Sequence, residues 1–255
     1  MKLVKMVVPA LMLVASLATY ASAGVPMPVI AEEHVNGGVT QLNWLPGYDT
    51  PRTLLGMTLD PSDPAWSNPS GDHTVGVLTN TIQDSGGIAL SAIDPQGQAD
   101  YTWEGWFFTG AGNTRRGLIL RASVGDNFKS SYQFVLYSGM AQLIFRKLQN
   151  QTPTTLRSYV GPAIPGGIPL VNTWHHLKVE AIANQFRLWY DGVELTAGNP
   201  VFDTNSPLLT GFVGVYNFRF DLGNVPVYFD DLVLSTQNVV PTRTTTWGAI
   251  KNLYK

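Results

Sequence analysis

Cysteine is absent from the 255-residue chain, and charged residues make up only 13% of it. Without cysteine there can be no disulfide, thiolate zinc site, iron–sulfur cluster, cysteine nucleophile or lipid-modified cysteine. The 44% of apolar residues, together with the low charge, excludes disorder and coiled coil as the main description of the chain. Any chemistry must therefore use oxygen and nitrogen groups.

The charge balance excludes one class of partner. The chain has 16 Lys and Arg against 18 Asp and Glu, a net charge of −2. Without Lys2 and Lys5, which belong to the N-terminal segment described next, 14 basic residues remain against 18 acidic ones, a net charge of −4. Because nucleic-acid binding needs a basic surface, we expect no nucleic-acid partner.

Residues 1–23 are typical of a secretory signal peptide. Lys2 and Lys5 precede an apolar run over 6–18, and Ala21-Ser22-Ala23 is a small-residue cleavage site. A membrane anchor would need about 20 apolar residues, and no later stretch is apolar for about 18. We therefore expect an exported bacterial protein, secreted, periplasmic or on the cell surface, with no transmembrane segment in the mature chain.

Apolar residues recur with period two between residues 40 and 235, which predicts strands with one buried face and almost no helix. Turn sequences such as Ser138-Gly139 and Asp191-Gly192 separate neighbouring runs. About a dozen short antiparallel strands predict an all-β, two-sheet antiparallel jelly-roll sandwich. The clearest predicted strands are 101–108, 116–121, 132–137, 141–146, 174–181, 185–190, 212–216 and 227–234, and the weaker ones are 39–44, 54–59, 75–79 and 88–92.

Six segments in this order carry a family resemblance: Tyr132-Gln-Phe-Val-Leu136, Leu143-Ile-Phe-Arg146, Trp174-His-His-Leu-Lys-Val179, Phe186-Arg-Leu-Trp-Tyr-Asp-Gly192, Gly211-Phe-Val-Gly214 and Tyr228-Phe-Asp-Asp-Leu-Val-Leu234. The series resembles the laminin-G-like, concanavalin A-like lectin/glucanase superfamily over about residues 100–235, and more weakly over 40–100. The resemblance implies a jelly-roll domain at 24–235. Lectins, carbohydrate-binding modules, glycan hydrolases and adhesion domains share this fold, so the fold does not choose among them.

The segment after the predicted domain has a different composition. Residues 236–246 are typical of a Pro/Thr-rich linker. In the tail 247–255, Trp247 and Ile250 have near-helical spacing, but nine residues are too few for a stable helix alone. The tail therefore either docks on something or frays.

A hydrolase of this superfamily would need two carboxyl groups about 5–9 Å apart, which on a strand means glutamates two or four positions apart on one face. No two of the five glutamates have this spacing. The Glu-x-Asp-x-x-Glu pattern of the laminarinase-like members is also absent. We therefore expect no catalytic residues and favour a non-catalytic binding module for carbohydrate or for a cell-surface or extracellular ligand. Glu104 and Glu180 could still converge in space, so a glycan hydrolase stays an alternative, as does a structural component of a cell-surface assembly.

Sugar binding needs an aromatic plane for the apolar face of a pyranose and polar groups for its hydroxyls. Alternation predicts that a set of such side chains leaves the core and lines one concave sheet, although a merely solvated sheet face would have the same pattern. Trp44 and Trp66 in loop sequence are either exposed to ligand or plugs at the sandwich ends, and core packing is expected for Trp103, Trp106 and Trp174. The predicted ligand-binding residues are Arg121, Gln133, Tyr137, Gln142, Arg146, Arg187 and Trp189.

Two pairs of residues raise the question of a metal. Neighbouring strand residues point to opposite faces, so His175 and His176 cannot readily bind one ion. Asp230 and Asp231 are better candidates, because members of the resembled superfamily often carry a structural calcium near an aspartate of the last strand. Calcium takes six to eight oxygen ligands, and only one of the two aspartates can face such a site. We expect no required cofactor and consider a structural calcium at Asp230 and Asp231.

Overall fold

The computed structural model describes residues 29–46, 53–80, 87–91, 99–110, 114–123, 125–169, 171–219 and 225–236. The predicted signal peptide and tail, and all but the first residue of the predicted linker, lie outside these residues. Within the described part of the chain, no helix has the length and apolar character needed to cross a membrane.

The described chain forms two antiparallel sheets that pack as a sandwich. The nine-stranded sheet has the order β13-β12-β11-β6-β16-β4-β3, with β1 paired to β16 and β14 paired to β12. It contains β1 (Val29–Glu33), β3 (Leu55–Thr58), β4 (Thr74–Asn80), β6 (Tyr101–Phe108), β11 (Trp174–Ile182), β12 (Gln185–Tyr190), β13 (Val193–Glu194), β14 (Val201–Phe202) and β16 (Val225–Thr236).

The second sheet has seven strands in the order β10-β9-β8-β7-β15-β5-β2. Short 3₁₀ turns at Asn36–Gly38, Ser138–Met140 and Gly161–Ala163 are the helical elements of the described residues. This architecture confirms the all-β sandwich. The strands of this sheet are β2 (Trp44–Pro46), β5 (Gly87–Ser91), β7 (Thr114–Ala122), β8 (Ser131–Tyr137), β9 (Gln142–Gln149), β10 (Thr152–Val160) and β15 (Phe212–Arg219).

Alternation along the strands directs every second side chain into the space between the sheets. Tyr101, Trp103 and Phe107 of β6 are buried there, and Tyr132 enters from β8. Trp103 Nε1 also donates a hydrogen bond to the carbonyl oxygen of Gly214, 3.0 Å away, and so joins the two sheets. Burying side chains of this size stabilises the fold by roughly 1.5–3 kcal/mol each.

All eight of the clearest predicted strands are present, and the predictions for 101–108 and 185–190 match the observed bounds. The prediction for 39–44 is wrong, since only Trp44 lies in a strand. The reason is Glu33, whose buried carboxylate accepts hydrogen bonds from the backbone N–H of Val35, Gln41 and Leu42 and from Trp44 Nε1. These bonds fold residues 34–43 into a loop around the carboxylate.

Candidate functional site

Two tryptophans line a pocket on the outer face of the nine-stranded sheet. Trp106 of β6 and Trp174 of β11 form it together with His176, Asp191 and Gly192, and its volume is about 540 Å³. These strand side chains face outward because their neighbours one position away are in the core. Small-molecule sites have volumes of about 300–1,000 Å³, so this pocket has room for a small ligand.

The pairing of β6 with β11 sets the positions of the aromatic rings. His176 lies opposite Trp106, with ring centroids 5.0 Å apart, and Trp174 lies opposite Phe108, with centroids 5.4 Å apart. Phe108 is buried, whereas both indoles are half-buried. Each indole therefore packs against one ring and keeps part of its surface exposed to the pocket.

Asp191 closes the pocket from the turn that follows β12. Its backbone is left-handed, with φ of 47°, and Gly192 follows with φ of 77°. One oxygen of the Asp191 carboxylate accepts a hydrogen bond from the backbone N–H of His176 at 2.8 Å, and the other lies 2.7 Å from His175 Nδ1. The carboxylate therefore has a fixed position even though its side chain is 38% exposed.

His175 points away from the pocket and supports Asp191 from behind. Its Nε2 lies 2.8 Å from Thr173 Oγ1, and its Nδ1 lies 2.8 Å from the Tyr190 hydroxyl as well as near Asp191. His176 faces outward, so the two histidines lie on opposite faces of β11, as alternation predicts. Both are partly buried, with side chains 12% and 20% exposed.

Charged side chains continue along the same face from the pocket. Glu104 Oε2 lies 3.5 Å from His176 Nε2, and its Oε1 lies 3.6 Å from Lys178 Nζ. Burial lowers the pKa of His176 below its ordinary value, although the nearby Glu104 acts in the opposite direction. At neutral pH His176 is therefore a neutral imidazole, which can both donate and accept a hydrogen bond.

The face ends in a second group around Trp189. Arg187 donates two hydrogen bonds to Glu194, at 2.8 and 2.6 Å, and its Nη1 lies 3.5 Å from Glu180. The Arg187 guanidinium lies 4.9 Å and Lys178 Nζ 5.6 Å from the centroid of the Trp189 ring. The two adjacent cations stabilise the position of this indole at the surface.

The sequence-predicted ligand residues do not form one surface. Arg187 and Trp189 lie on the outer face of the nine-stranded sheet, as just described. The other members of the set belong to the seven-stranded sheet, and four of them lie together on its outer face: Gln133, Tyr137, Gln142 and Arg146.

The residues of this second face point at each other more than at solvent. Arg146 donates from Nε and Nη2 to the side-chain oxygen of Gln133, at 2.9 and 2.7 Å, and its guanidinium lies 5.6 Å from the Tyr216 ring centroid. Gln133 is fully buried and Arg146 is 6% exposed. This face is therefore a weaker candidate for direct ligand contact than the tryptophan pocket.

The expectation that Arg121 leaves the core is wrong. A β-bulge opposite Phe212–Gly214 gives Arg121 a left-handed backbone, with φ of 50°, and turns its fully buried side chain inward. Its guanidinium donates to the carbonyl oxygens of Ala99, Ala183 and Leu208. Arg121 therefore holds three segments together inside the sandwich.

Glu104 and Glu180 lie on neighbouring strands of the outer face, where Glu104 pairs with Lys178, two positions before Glu180. Diagonal neighbours of this kind are about 7–8 Å apart. Glu104 lies 3.6 Å from Lys178 Nζ and 3.5 Å from the neutral His176 ring, and Glu180 lies 3.5 Å from Arg187 Nη1. The arrangement is that of a surface ion-pair network.

Trp44 and Trp66 have structural contacts. Trp44 is 5% exposed and bonded to Glu33, so it plugs one part of the sandwich. Trp66 stacks on His73, with ring centroids 3.6 Å apart and planes inclined by 8°. Trp103 is buried as expected, Trp174 is only partly buried but packs against a small buried apolar cluster, and Trp106 is partly buried on the outer face. Alternation already set Trp174 on the same face as Lys178, and this parity was the signal for a surface role.

A cluster of oxygen atoms lies behind the pocket, where the 59–74 loop meets β16. Asp230, fully buried, accepts hydrogen bonds from the backbone N–H and the hydroxyl of Ser70, at 3.1 and 2.9 Å. Four oxygens lie within 3.1 Å of Asn68 Nδ2: Ser70 Oγ at 2.7 Å, Thr74 O at 3.0 Å, Asp230 Oδ2 at 3.0 Å and Asp72 Oδ1 at 3.1 Å.

This cluster fits a hard cation in ligand type. An amide nitrogen has only two protons, so it cannot hydrogen-bond fully to four oxygens. Two carboxylates, a hydroxyl and a carbonyl around one point are ligands that calcium takes. No group of three or more His, Cys, Asp or Glu side chains suited to a metal occurs among the described residues, so the neutral oxygens would have to complete such a site.

The two central carboxylates have opposite pKa shifts. Burial raises the pKa of Asp230 to about 6, although Ser70 donates to it. Burial acts in the same direction on Asp72, but hydrogen bonds from Thr74, Ser70 and Asn68 prevail and lower the pKa of Asp72 to about 2. Asp231 faces elsewhere, with Oδ1 2.7 Å from His34 Nδ1, so only one of the two predicted aspartates faces the cluster.

Comparison with known proteins places the fold in a class. No family model matches the chain. No curated protein matches it. Among solved structures, 97% of a carbohydrate-binding module from Bacillus subtilis superposes on 82% of this chain, with a TM-score of 0.51 and 17% identity. The fold class is therefore an antiparallel two-sheet β-sandwich, which the solved structure of that module shares.

Two further structures agree on this class. A Bacillus subtilis protein of unknown function with a galectin-like fold has a TM-score of 0.54 and 9% identity, covering 82% of this chain and 96% of that one. The GH43 protein BlXynB of Bacillus licheniformis has a TM-score of 0.50 and 10% identity, covering 81% of this chain and 39% of that one. At these identities the likeness shows the fold alone.

Proposed function

We propose that the chain is an exported, non-catalytic module that binds carbohydrate in the Trp106–Trp174 pocket. The observation that carries the proposal is the pair of half-exposed indoles beside a fixed carboxylate in an open pocket of about 540 Å³. A sandwich of the same fold is named a carbohydrate-binding module in Bacillus subtilis. The signal-like residues 1–23 support export.

The pocket supplies both kinds of contact that a sugar needs. An indole face covers the C–H groups on the apolar side of a pyranose, and Trp106 and Trp174 offer two such surfaces. Asp191 accepts hydrogen bonds, and the neutral His176 imidazole donates or accepts them, so both can meet hydroxyl groups. A few fixed polar groups on an apolar wall are typical of small-molecule sites.

Binding without hydrolysis follows from the carboxylates of this face. Hydrolysis of a glycoside needs one carboxyl group as proton donor and a second as base or nucleophile. Glu104, Glu180 and Glu194 each lie within ion-pair distance of Lys178 or Arg187. Asp191 is bound to His175 and the His176 backbone. We therefore assign these groups to binding and positioning.

As part of the same proposal, the oxygens around Asn68 Nδ2 would hold a calcium ion. Asp72 and Asp230 would supply the charge, and Ser70 Oγ and the Thr74 carbonyl would supply neutral oxygens. Its role there would be structural, since it would neutralise two carboxylates and connect the 59–74 loop to β16. This loop forms the floor behind Trp174, because Trp174 Nε1 donates to the carbonyl oxygen of Ala65.

The test is a glycan-array screen of the purified protein, with calcium and with chelator, followed by a reducing-sugar assay on every hit. We expect binding that weakens in chelator, no release of reducing sugar, and loss of all hits in Trp106→Ala. Gln142→Ala, on the other sheet, is the control that keeps binding. Hits that survive Trp106→Ala would contradict the assigned site, and sugar release would contradict the non-catalytic function.

A further inference from the structure

We infer that the pocket and Trp189 are the two ends of one continuous strip, and that the strip takes an oligosaccharide chain of neutral or amino sugars. The inference deepens the proposed function and rests on it. It comes from strand register and from the charges on the outer face of the nine-stranded sheet, which together give the ligand a length and a charge.

The register of three strands makes the strip continuous. His176 pairs with Trp106, Lys178 pairs with Glu104 on one side and with Trp189 on the other, and all five side chains face outward. Trp174 and Lys178 are four residues apart along β11, which is about 13 Å at 3.3 Å per residue. Lys178 is the residue opposite Trp189. One sugar ring cannot contact both ends, whereas a short chain can.

The strip is partly exposed along its whole length. The side chains of Glu104 and Lys178, which lie between the pocket and Trp189, are 22% and 26% exposed. Beyond them the Arg187 side chain is 38% exposed. The groups between the two aromatic ends are therefore hydrogen-bonding groups in contact with solvent, as a chain of hydroxyl-bearing sugars requires.

The charge of the strip is negative. Lys178 and Arg187 are its two fixed cations, and His176 is neutral because burial lowers its pKa. Three carboxylates lie within 3.6 Å of these cations, those of Glu104, Glu180 and Glu194, and a fourth, that of Asp191, lines the pocket. An anionic sugar brought to this surface meets net repulsion, while a neutral or amino sugar does not.

Substitutions at Trp189 test whether the protein binds one or two sugars in the pocket or a longer chain along the strip. Isothermal titration would compare two and six units of cello-, xylo-, laminari- and chito-oligosaccharides. For a series that binds, we expect the hexamer to bind about tenfold tighter than the dimer, or about 1.4 kcal/mol. In Trp189→Ala the two lengths are expected to bind equally, with the dimer unaffected, and Trp189→Phe should retain part of the gain.

The results distinguish a failure of the strip from a failure of the proposed function. Equal affinity for dimer and hexamer, with no effect of Trp189→Ala but loss of binding in Trp106→Ala, would overturn the strip and leave the pocket standing. No binding in any series would overturn both. Oligogalacturonate of six units is expected to bind at least about tenfold more weakly than the neutral hexamer, and equal binding would contradict the charge argument.

Discussion

Trp174 Nε1 lies 3.2 Å from the carbonyl oxygen of Ala65 and donates a hydrogen bond to it. The bond joins the pocket wall to the loop that carries Asn68, Ser70 and Asp72. Ala65 is fully buried in a small apolar cluster with Trp174 packed against it. The oxygen cluster and the pocket therefore share a structural element, and a change in one is expected to reach the other.

Trp106→Ala is expected to remove glycan binding with little loss of stability. Trp106 is half-buried on an outer face, where its ring packs against that of His176. Truncation removes a stacking surface, so the glycan affinity is expected to fall by about tenfold or more, and each tenfold corresponds to about 1.4 kcal/mol. Calorimetric titration with an array hit measures the affinity, and thermal unfolding checks the fold. Full glycan affinity in this variant would show that the glycan binds at another site.

Calcium should raise the melting temperature, and Asp230→Asn should abolish the rise. Any ligand that binds only the folded state stabilises it, and Asp230 is the buried carboxylate of the cluster. Asp60→Asn is the matched control, because Asp60 lies in the same loop and its carboxylate accepts hydrogen bonds from Ser62, outside the oxygen cluster. Melting curves of the metal-free protein with increasing calcium decide the point. An unchanged wild-type melting temperature at millimolar calcium would exclude the ion.

Asp203 should make the fold sensitive to acid. Burial would raise the pKa of this carboxyl, but hydrogen bonds from Tyr132 and Lys147 prevail and lower it. A lowered pKa contributes stability that is present above the unfolded value of 3.8 and is lost as pH falls through the folded value. The gap in unfolding free energy between wild type and Asp203→Asn should therefore be full at pH 7 and shrink below about pH 4.

At neutral pH the Asp203→Asn variant should lose about 3–5 kcal/mol, because it leaves a buried cation without its partner. That cation is Lys147, whose Nζ lies 2.9 Å from the carboxylate and whose side chain is 6% exposed. The double variant with Lys147→Met is expected to recover part of the loss. Urea unfolding at each pH gives both quantities, and a gap that grows with acidification would show the opposite linkage.

Arg121→Met should destabilise the fold and leave glycan affinity unchanged. The substitution leaves the carbonyl oxygens of Ala99, Ala183 and Leu208 without their donor, at about 1–3 kcal/mol for each unsatisfied group. The pocket lies on the outer face of the other sheet. Urea unfolding and calorimetry well below the midpoint give the two numbers. Weaker glycan binding with unchanged stability would instead indicate that Arg121 contacts the ligand.

The strands that sequence predicts well are those with one buried face. Residues 101–108 alternate because Trp103 lies in the core while Trp106 does not. The edge strand β10 was not predicted, since residues 152–160 are largely exposed on both faces and have no apolar alternation. Similarly, Val29–Glu33 was not predicted, because its burial depends on pairing with β16, which is about 200 residues away.

The site was harder to predict, for two physical reasons. Periodicity assigns a side chain to a face of its own strand but does not say which sheet the strand joins, so Gln133 and Trp189 were grouped although they lie on different sheets. A single bulge reverses the parity of the residues after it, as at Arg121. The pocket depends on the register of β6 with β11, which sets Trp106 beside His176.

The most direct measurement of the central claim is a titration followed through the indole N–H resonances of the protein by nuclear magnetic resonance, with the strongest array hit as ligand. The Trp106 and Trp174 signals, assigned through single Trp→Phe variants, are expected to shift and saturate together with the calorimetric affinity. The buried Trp44 and Trp103 signals should remain in place. Saturation without any movement at Trp106 or Trp174 would contradict the pocket as the carbohydrate site.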